Sequence, residues 1–352
     1  MLDVLPLLRD FLVEHPRLGL AGAAITPLAG DVSSRRYFRV CEGDHSAIVC
    51  LYPAPFDEKE GAVPRLLRLC AKDEDTPLKL ANDPLAHLEA TRVLEEAGLP
   101  VPRVMAVDGA RALMVFEDLG DVRLQEVVAG QEEASWPGWY RSSLALIYQL
   151  QALTPGVVSA GLFSGRLALD GPKLSWEMDY FIRETLEGWG MGRLNGPQVA
   201  QIRQDLHHLC QWIHTRPRVL CHRDYHARNL MVVGGRLFVI DHQDMRLGPI
   251  TYDVASLLED PYVTPPPALA ARLWEEFRTR VAPLDAEFER ERRRVTIQRL
   301  IKAAGTYGAQ VRRGVRSFEV YLVPTLLRAV TLLREDGEYE ATASLLEGVC
   351  QA

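Results

Sequence analysis

Two stretches of this chain carry residues of the types and spacing that phosphoryl transfer needs. His222-Arg223-Asp224-Tyr225-His226-Ala227-Arg228-Asn229 has the form H-x-D-x-x-x-x-N, and Asp241 directly follows the apolar run Leu237 to Ile240. Such a transfer needs a carboxylate to orient the attacking hydroxyl, oxygen ligands for Mg²⁺, and donors that hold the phosphates. Asp224 would accept the hydroxyl proton, and Asn229 would offer its amide oxygen to the metal. Mg²⁺ takes octahedral oxygen coordination and bridges phosphates, so a second carboxylate is required, and Asp241 is placed to give it at a strand end. His222 reads as a hydrogen-bonder that stabilises the loop, since imidazole suits softer metals. A lone His-x-Asp would be uninformative; here it coincides with an Asn at the right offset and an Asp after the next strand.

Elements able to position these residues are visible in the hydrophobic pattern. Ile25 to Leu28, Arg36 to Val40 and Ser46 to Leu51 read as strands of a small antiparallel sheet, broken at Gly30-Asp31 and Glu42-Gly43-Asp44. Asn82-Asp83-Pro84 opens a helix to about Ala97, with Asp83 as N-cap and Pro84 in the first turn. Val104 to Val107 and Ala112 to Phe116 are two more strands around an Asp108-Gly109 turn. Beyond Gly120 come amphipathic helices: Tyr140 to Leu153, Trp176 to Leu186, Gln198 to Ile213, Ala268 to Val281 and Glu287 to Val311. Short strands at Arg218 to Cys221, Leu230 to Val233 and Leu237 to Ile240 interrupt them, with Gly234-Gly235 as a turn, and the motif residues flank these strands. Val122 to Pro137 reads as a linker, which gives an α+β fold of two parts, residues 1–118 and 119–352.

Bulk properties narrow the class. A chain of 352 residues, 47% hydrophobic, can bury substantial cores. Its formal net charge of -7 argues against nucleic acid or an anionic lipid surface as partner. Asp3, Arg9, Asp10, Glu14, His15 and Arg17 break up the first twenty residues, so the core of a signal peptide is missing. No later run approaches the roughly 18 apolar residues of a membrane helix. The six cysteines form no Cys-x-x-Cys pair and read as reduced thiols. These features lead to the expectation of a cytoplasmic protein without a membrane partner.

With these motifs the chain resembles the aminoglycoside phosphotransferase and choline kinase superfamily. Protein kinases usually have D-F-G at the metal site and a long activation loop ending in A-P-E; this chain has Asp241-His242-Gln243-Asp244, and Gly248 to Ala255 follows almost at once. The resemblance implies a protein-kinase-like bilobal fold, ATP and Mg²⁺ as cofactors, and a small hydroxylated substrate. Within the superfamily the chain is most similar to bacterial kinases that phosphorylate N-acetylmuramate and N-acetylglucosamine at the anomeric hydroxyl in cell-wall sugar recycling. The residues that carry this are Gly30 to Arg39, His222 to Met231, Asp241 to Leu258 and Gln298 to Lys302. In this superfamily Asp253 looks like the acidic residue that begins a helix and braces the catalytic loop.

The same resemblance gives the rest of the site as expectations. Gly30 to Ser34 holds the position of a phosphate-covering hairpin, with Ser33 or Ser34 touching the β- and γ-phosphates. Kinase-like folds place a Lys on the third strand, but Ser46 to Leu51 contains no basic residue. Another group must then supply the charge, with Arg36 or Arg39 on the preceding strand as candidates; being an odd number of residues apart they face opposite sides of a strand, so only one should point into the cleft. Glu89, on the helix that would pair with that Lys, reads as a surface carboxylate. Phe116-Glu117-Asp118-Leu119 matches the hinge whose main chain reads adenine. For the acceptor, Glu177 and Asp179 could bond sugar hydroxyls. Gln298 and Lys302 share a helix face with Arg299 alongside, which would suit a carboxylate-bearing sugar. Arg228 could brace the loop by pairing with an acid such as Asp253. An aminoglycoside, choline or amino alcohol acceptor, and a catalytically retired kinase fold used for binding, are the competing readings; ATP against GTP and the oligomeric state, a monomer included, stay open.

Overall fold

The computed structural model describes residues 4–28, 35–73, 83–281 and 286–351. Gly30 to Ser34, with Ser33 and Ser34, therefore lie outside the described residues. Contacts divide the chain into two compact units, Met1–Val122 with Leu230–Asp244, and Arg123–Asn229 with Met245–Ala352.

The first unit is built on a five-stranded antiparallel sheet, β1 (Ala24–Pro27), β2 (Arg36–Glu42), β3 (His45–Leu51), β4 (Val104–Asp108) and β5 (Leu113–Glu117), in the order β1-β2-β3-β5-β4. Phe38 pairs with Val49 and Val49 with Val115, so strand alternation sends Phe38, Val40, Ala47, Val49, Leu113 and Val115 to one face. There they pack with Leu8, Phe11 and Leu12 of helix α1 (Val4–Glu14). Tyr37, Arg39, Cys50, Met114 and Phe116 belong to the opposite face. Two helices follow β3, α2 (Ala62–Cys70) and α3 (Pro84–Glu96), and Asp83 caps α3 by accepting from the main-chain N–H groups of Leu85 and Ala86. His87 of α3 stacks on Phe116 at 4.8 Å and meets the Tyr52 hydroxyl at 2.6 Å, which fixes α3 on that second face. The hairpin β7 (Leu230–Val233) and β8 (Arg236–Val239) turns at Gly234 and Gly235, both left-handed with φ of 55° and 77°. Main-chain bonds from Val232 to Val122 and from Val239 to Pro100 attach the hairpin to the unit.

The second unit is mainly helical. Its main helices are α4 (Leu124–Ala129), α5 (Trp136–Ala152), α6 (Gly171–Phe181), α7 (Gly196–His214), α8 (Tyr252–Leu258), α9 (Pro267–Val281), α10 (Ala286–Arg312), α11 (Glu319–Asp336) and α12 (Glu340–Gln351), with two short helical turns at Thr154–Ser159 and Phe163–Arg166. Strands β6 (Arg218–Cys221) and β9 (Arg246–Pro249) pair antiparallel, and the stretch from His222 to Asn229 follows β6. Long α10 lies close against α6: a Cβ on Gly305 would come 2.9 Å from the Phe181 Cα, and one on Gly308 would collide with Thr185. Only glycine permits this approach, which brings the α10 side chains to Glu177.

Several elements differ from the sequence expectation. The connection between β4 and β5 runs over residues 109–112, not a two-residue turn, because Ala112 adopts a positive φ of 60° and β5 starts after it. The expected linker at 122–137 contains α4 and the start of α5; six residues of helix give too little periodicity to detect. Helix α6 starts at Gly171, capped by Asp170, and at Ile182 it widens into π-helical turns that run to Trp189. Helices α1, α2, α11 and α12 were not foreseen, and α11 carries Pro324 in its interior, a residue that argues against helix in a sequence. Among the described residues no helix is long and apolar enough to cross a membrane.

Candidate active site

In the second unit, the stretch from His222 to Asn229 is a non-repetitive loop held from below by buried acids. Asp253, at the start of α8 and fully buried, accepts the main-chain N–H of His222 at 2.7 Å and that of Arg223 at 2.9 Å. Burial raises the Asp253 carboxyl, and His222 and the two N–H groups pull against that rise. Asp260 accepts the Ala227 N–H at 2.9 Å, and burial pushes its carboxyl up to about 6. The Tyr225 hydroxyl donates to the Ser143 carbonyl at 2.9 Å. Arg223 has φ of 80°, a costly conformation for a non-glycine residue that persists where surrounding bonds over-determine it. Here Asp253 holds its N–H, Ser256 donates to its carbonyl at 3.2 Å, and its guanidinium donates to Glu177 Oε1 at 2.7 Å.

Glu177 sits at the centre of a buried polar network. Besides Arg223 it accepts from Gln298 Nε2 at 2.9 Å and lies 3.6 Å from Lys173 Nζ. Burial alone would raise its carboxyl, but Lys173, Arg223 and Lys302 bring it down to about 2. Glu177 and Gln298 are therefore interior braces of the loop, only 3% and 0% exposed. Asp179, two residues on, faces elsewhere and bonds Arg203 and His207 of α7 at 3.0 and 3.2 Å.

The carboxylate of Asp224 shares Lys302 and Arg223 with this network, and 36% of its side chain is exposed. Lys302 Nζ lies 2.8 Å from its Oδ1, and Arg299 Nη1 3.3 Å from the same oxygen. Burial works to raise the Asp224 carboxyl, yet Lys302, Arg223 and Arg299 hold it well below the usual carboxylate range. The spacing of 299 and 302 on α10 thus converges on Asp224. The Asn229 amide nitrogen donates to the Asp224 carbonyl at 2.8 Å, which fixes the amide; its Oδ1 accepts no bond from the described residues. Arg228 does not turn to Asp253, whose two oxygens are already taken by the loop's own N–H groups. It donates to Gln125 of α4 at 2.7 Å and to the Tyr321 hydroxyl at 3.2 Å, with its guanidinium 3.6 Å from the centre of the Tyr262 ring.

In the first unit, Asp241 also has a positive φ, 61°. His242 anchors it, with Nε2 2.8 Å from the Thr91 hydroxyl of α3. Asp241 Oδ1 accepts from Arg35 at 2.8 Å and from Gln243 at 3.0 Å, while 41% of the side chain is exposed. Of the two arginines singled out on β2, Arg36 faces the α1 side, its guanidinium 5.3 Å from the Phe38 ring. Arg39 clasps the turn after β5, donating to Asp121 at 2.9 Å, Asp118 at 3.1 Å and the Gly120 carbonyl at 3.0 Å. In the segment Phe116 to Leu119, Glu117 donates its main-chain N–H to Arg103 and pairs with that residue's guanidinium. Leu119 forms no main-chain bond with the described residues.

Sequence reasoning missed Arg35, although strand parity groups it with Tyr37 and Arg39 and apart from Arg36. Gln125, Asp260 and Tyr262 meet the loop across 33 to 103 positions of chain and leave no local signal, whereas Lys173 stands four residues before Glu177 on α6, a spacing that could have found it. Among the described residues no three His, Cys, Asp or Glu side chains cluster to hold a metal. Mg²⁺ rarely needs such a cage: it binds through one or two carboxylates, waters and substrate phosphates. Taken each in its own unit, the half-exposed Asp241 carboxylate and the Asn229 amide oxygen are hard oxygen donors of the kind that ion takes.

Comparison with known proteins agrees with this chemistry. Residues 24–294 match the model of the phosphotransferase enzyme family. The N-acetylmuramate/N-acetylglucosamine kinase of Pseudomonas aeruginosa is 28% identical over 299 residues, 81% of this chain and 76% of that protein. The enzyme of the same name from Neisseria meningitidis serogroup B is 27% identical over 80% of this chain and 77% of its own. Among solved structures, an aminoglycoside phosphotransferase in complex with gentamicin superposes with a TM-score of 0.61 at 15% identity, covering 97% of this chain and 99% of that one. A choline/ethanolamine kinase family protein from Mesorhizobium loti gives 0.57 at 15% identity, covering 99% of both. The fold is α+β and protein-kinase-like.

Proposed function

The chain belongs to the phosphotransferase enzyme family, and we propose that it is an ATP- and Mg²⁺-dependent kinase that phosphorylates the anomeric hydroxyl of an N-acetylated amino sugar, with N-acetylmuramate preferred over N-acetylglucosamine. The observation that carries the sugar assignment is the charge around Asp224. Lys302 and Arg299 reach its carboxylate, whereas the acids that balance them, Glu177, Asp253 and Asp260, are at most 3% exposed and bonded inward. An acceptor approaching Asp224 meets cations. A lactyl carboxylate two ring carbons from the anomeric centre is complementary to that surface, while an aminoglycoside or choline would be repelled. Choline would need an open aromatic face, and on Tyr262 that face is covered by Arg228. The names of the curated relatives support the same choice.

Asp224 orients the sugar hydroxyl and takes its proton as the oxygen bonds the γ-phosphorus and the bond to the β–γ bridging oxygen breaks, releasing ADP. So acidic a carboxylate is a weak base, which is tolerable because phosphoryl transfer proceeds through a loose transition state in which positioning dominates. Asn229 and Asp241 would hold Mg²⁺, which when bound neutralises phosphate charge. Asp253, Asp260 and Glu177 keep the loop rigid.

A Lys302→Met variant tests the acceptor assignment. The KM for N-acetylmuramate should rise about tenfold, the effect of losing one charge-assisted contact, with the KM for N-acetylglucosamine nearly unchanged. Turnover should fall for both sugars, because Asp224 loses a partner that orients it. Equal KM changes for the two sugars would remove the case for an anionic acceptor.

A further inference from the structure

The first unit presents a gap in the expected chemistry. Nucleotide phosphates need a cation, and β3, the strand on which kinase-like folds carry it, has no Lys or Arg from His45 to Leu51. Arg36 is exposed on the sheet face that packs against α1, its guanidinium over the Phe38 ring, and Arg39 is engaged by Asp118, Asp121 and Gly120. Arg35, immediately before β2, lies on the same side as Tyr37, with its guanidinium 5.5 Å from that ring. It is 4% exposed and 2.8 Å from Asp241 Oδ1. Its neighbours across the sheet are Cys50 and Tyr52, at the end of the very strand that lacks a cation.

We propose that Arg35 replaces the missing strand lysine as the phosphate-binding cation, coupling the nucleotide phosphates to the metal-binding carboxylate Asp241. This rests on the kinase reading. A guanidinium presents five donors in a rigid fork suited to phosphate, and it stays charged when buried. The contact with Asp241 runs from one guanidinium nitrogen to the carboxylate Oδ1. A lysine, with a single point charge, could not hold both groups in one plane. The arrangement also accounts for a costly feature, a buried arginine beside a carboxylate in a strained backbone conformation.

Calorimetric binding of ADP and of adenosine, each with Mg²⁺, to the wild type and to Arg35→Met and Arg35→Lys tests this. Arg35→Met should weaken ADP at least tenfold and leave adenosine unchanged, since adenosine carries no phosphate; Arg35→Lys should recover part of the loss. ADP binding at wild-type strength in Arg35→Met would overturn the proposal. Equal losses for ADP and adenosine would also overturn it, showing that Arg35 acts only by holding the sheet. If the wild type itself bound no ADP, the kinase reading beneath the proposal would fail first.

Discussion

Asp224→Asn is expected to lower turnover by about 10²- to 10⁴-fold, the range associated with loss of a positioned acid–base group, with ADP affinity close to that of the wild type. The substitution keeps the shape of the side chain and the loop beneath it, because Asp253, Asp260 and Asn229 bond main-chain groups and not the Asp224 carboxylate. What disappears is the charge that orients the hydroxyl and pairs with Lys302 and Arg299. The pH profile adds a second readout. Lys302, Arg223 and Arg299 overcome burial to hold Asp224 well below the ordinary carboxylate range, so protonation of Asp224 should not limit turnover between pH 7 and 5. In Lys302→Met its titration should move upward, and an acid limb should appear at higher pH than in the wild type. Unchanged turnover in Asp224→Asn, measured by ADP release, would exclude the catalytic role.

Glu177→Ala should destabilise the protein by about 3–5 kcal/mol, the usual consequence of leaving a buried ion-pair partner uncompensated. Arg223 is 4% exposed and strained at φ 80°, and Glu177 is the carboxylate that meets its guanidinium, while Gln298 loses an acceptor at the same time. Glu177→Gln, which retains hydrogen-bonding capacity, should cost less. Denaturant unfolding at several pH values checks the electrostatic origin. The Glu177 carboxyl is lowered from 4.5 to about 2 in the folded protein. Its contribution is therefore present above pH 4.5 and lost as the pH falls toward 2. That part of the acid sensitivity should be missing in Glu177→Gln. Stability within 1 kcal/mol of wild type for Glu177→Ala would contradict the brace.

The stretch from His222 to Asn229 stands out in the sequence because phosphoryl transfer would impose such spacing: an Asp, an amide five residues later and a carboxylate at the next strand end can be picked out without knowing any contact. The pairing of Gln298 with Lys302 was legible as helical periodicity, but not its division of labour, in which Gln298 turns inward to Glu177 while Lys302 and the adjacent Arg299 reach Asp224. That division depends on α10 approaching α6 through Gly305 and Gly308, a long-range packing event with no local signature. Glu177 looked like half of a polar helix face, yet it bonds Gln298 across 121 positions of chain. The Arg228 contact is hidden from the sequence because α4, which supplies Gln125, is six residues long and too short to show helical periodicity. On β2, parity separated Arg36 from Arg39 correctly, but applied one residue earlier it would also have drawn attention to Arg35.

The most direct test of the account is phosphorus NMR of the purified chain incubated with MgATP and N-acetylmuramate. The account predicts ADP and a sugar phosphorylated at the anomeric position in equal amounts, with turnover abolished by chelating Mg²⁺ and almost absent in Asp224→Asn. Folded protein that transfers no phosphate to N-acetylmuramate or N-acetylglucosamine, or that phosphorylates choline or an aminoglycoside faster than either sugar, would contradict it.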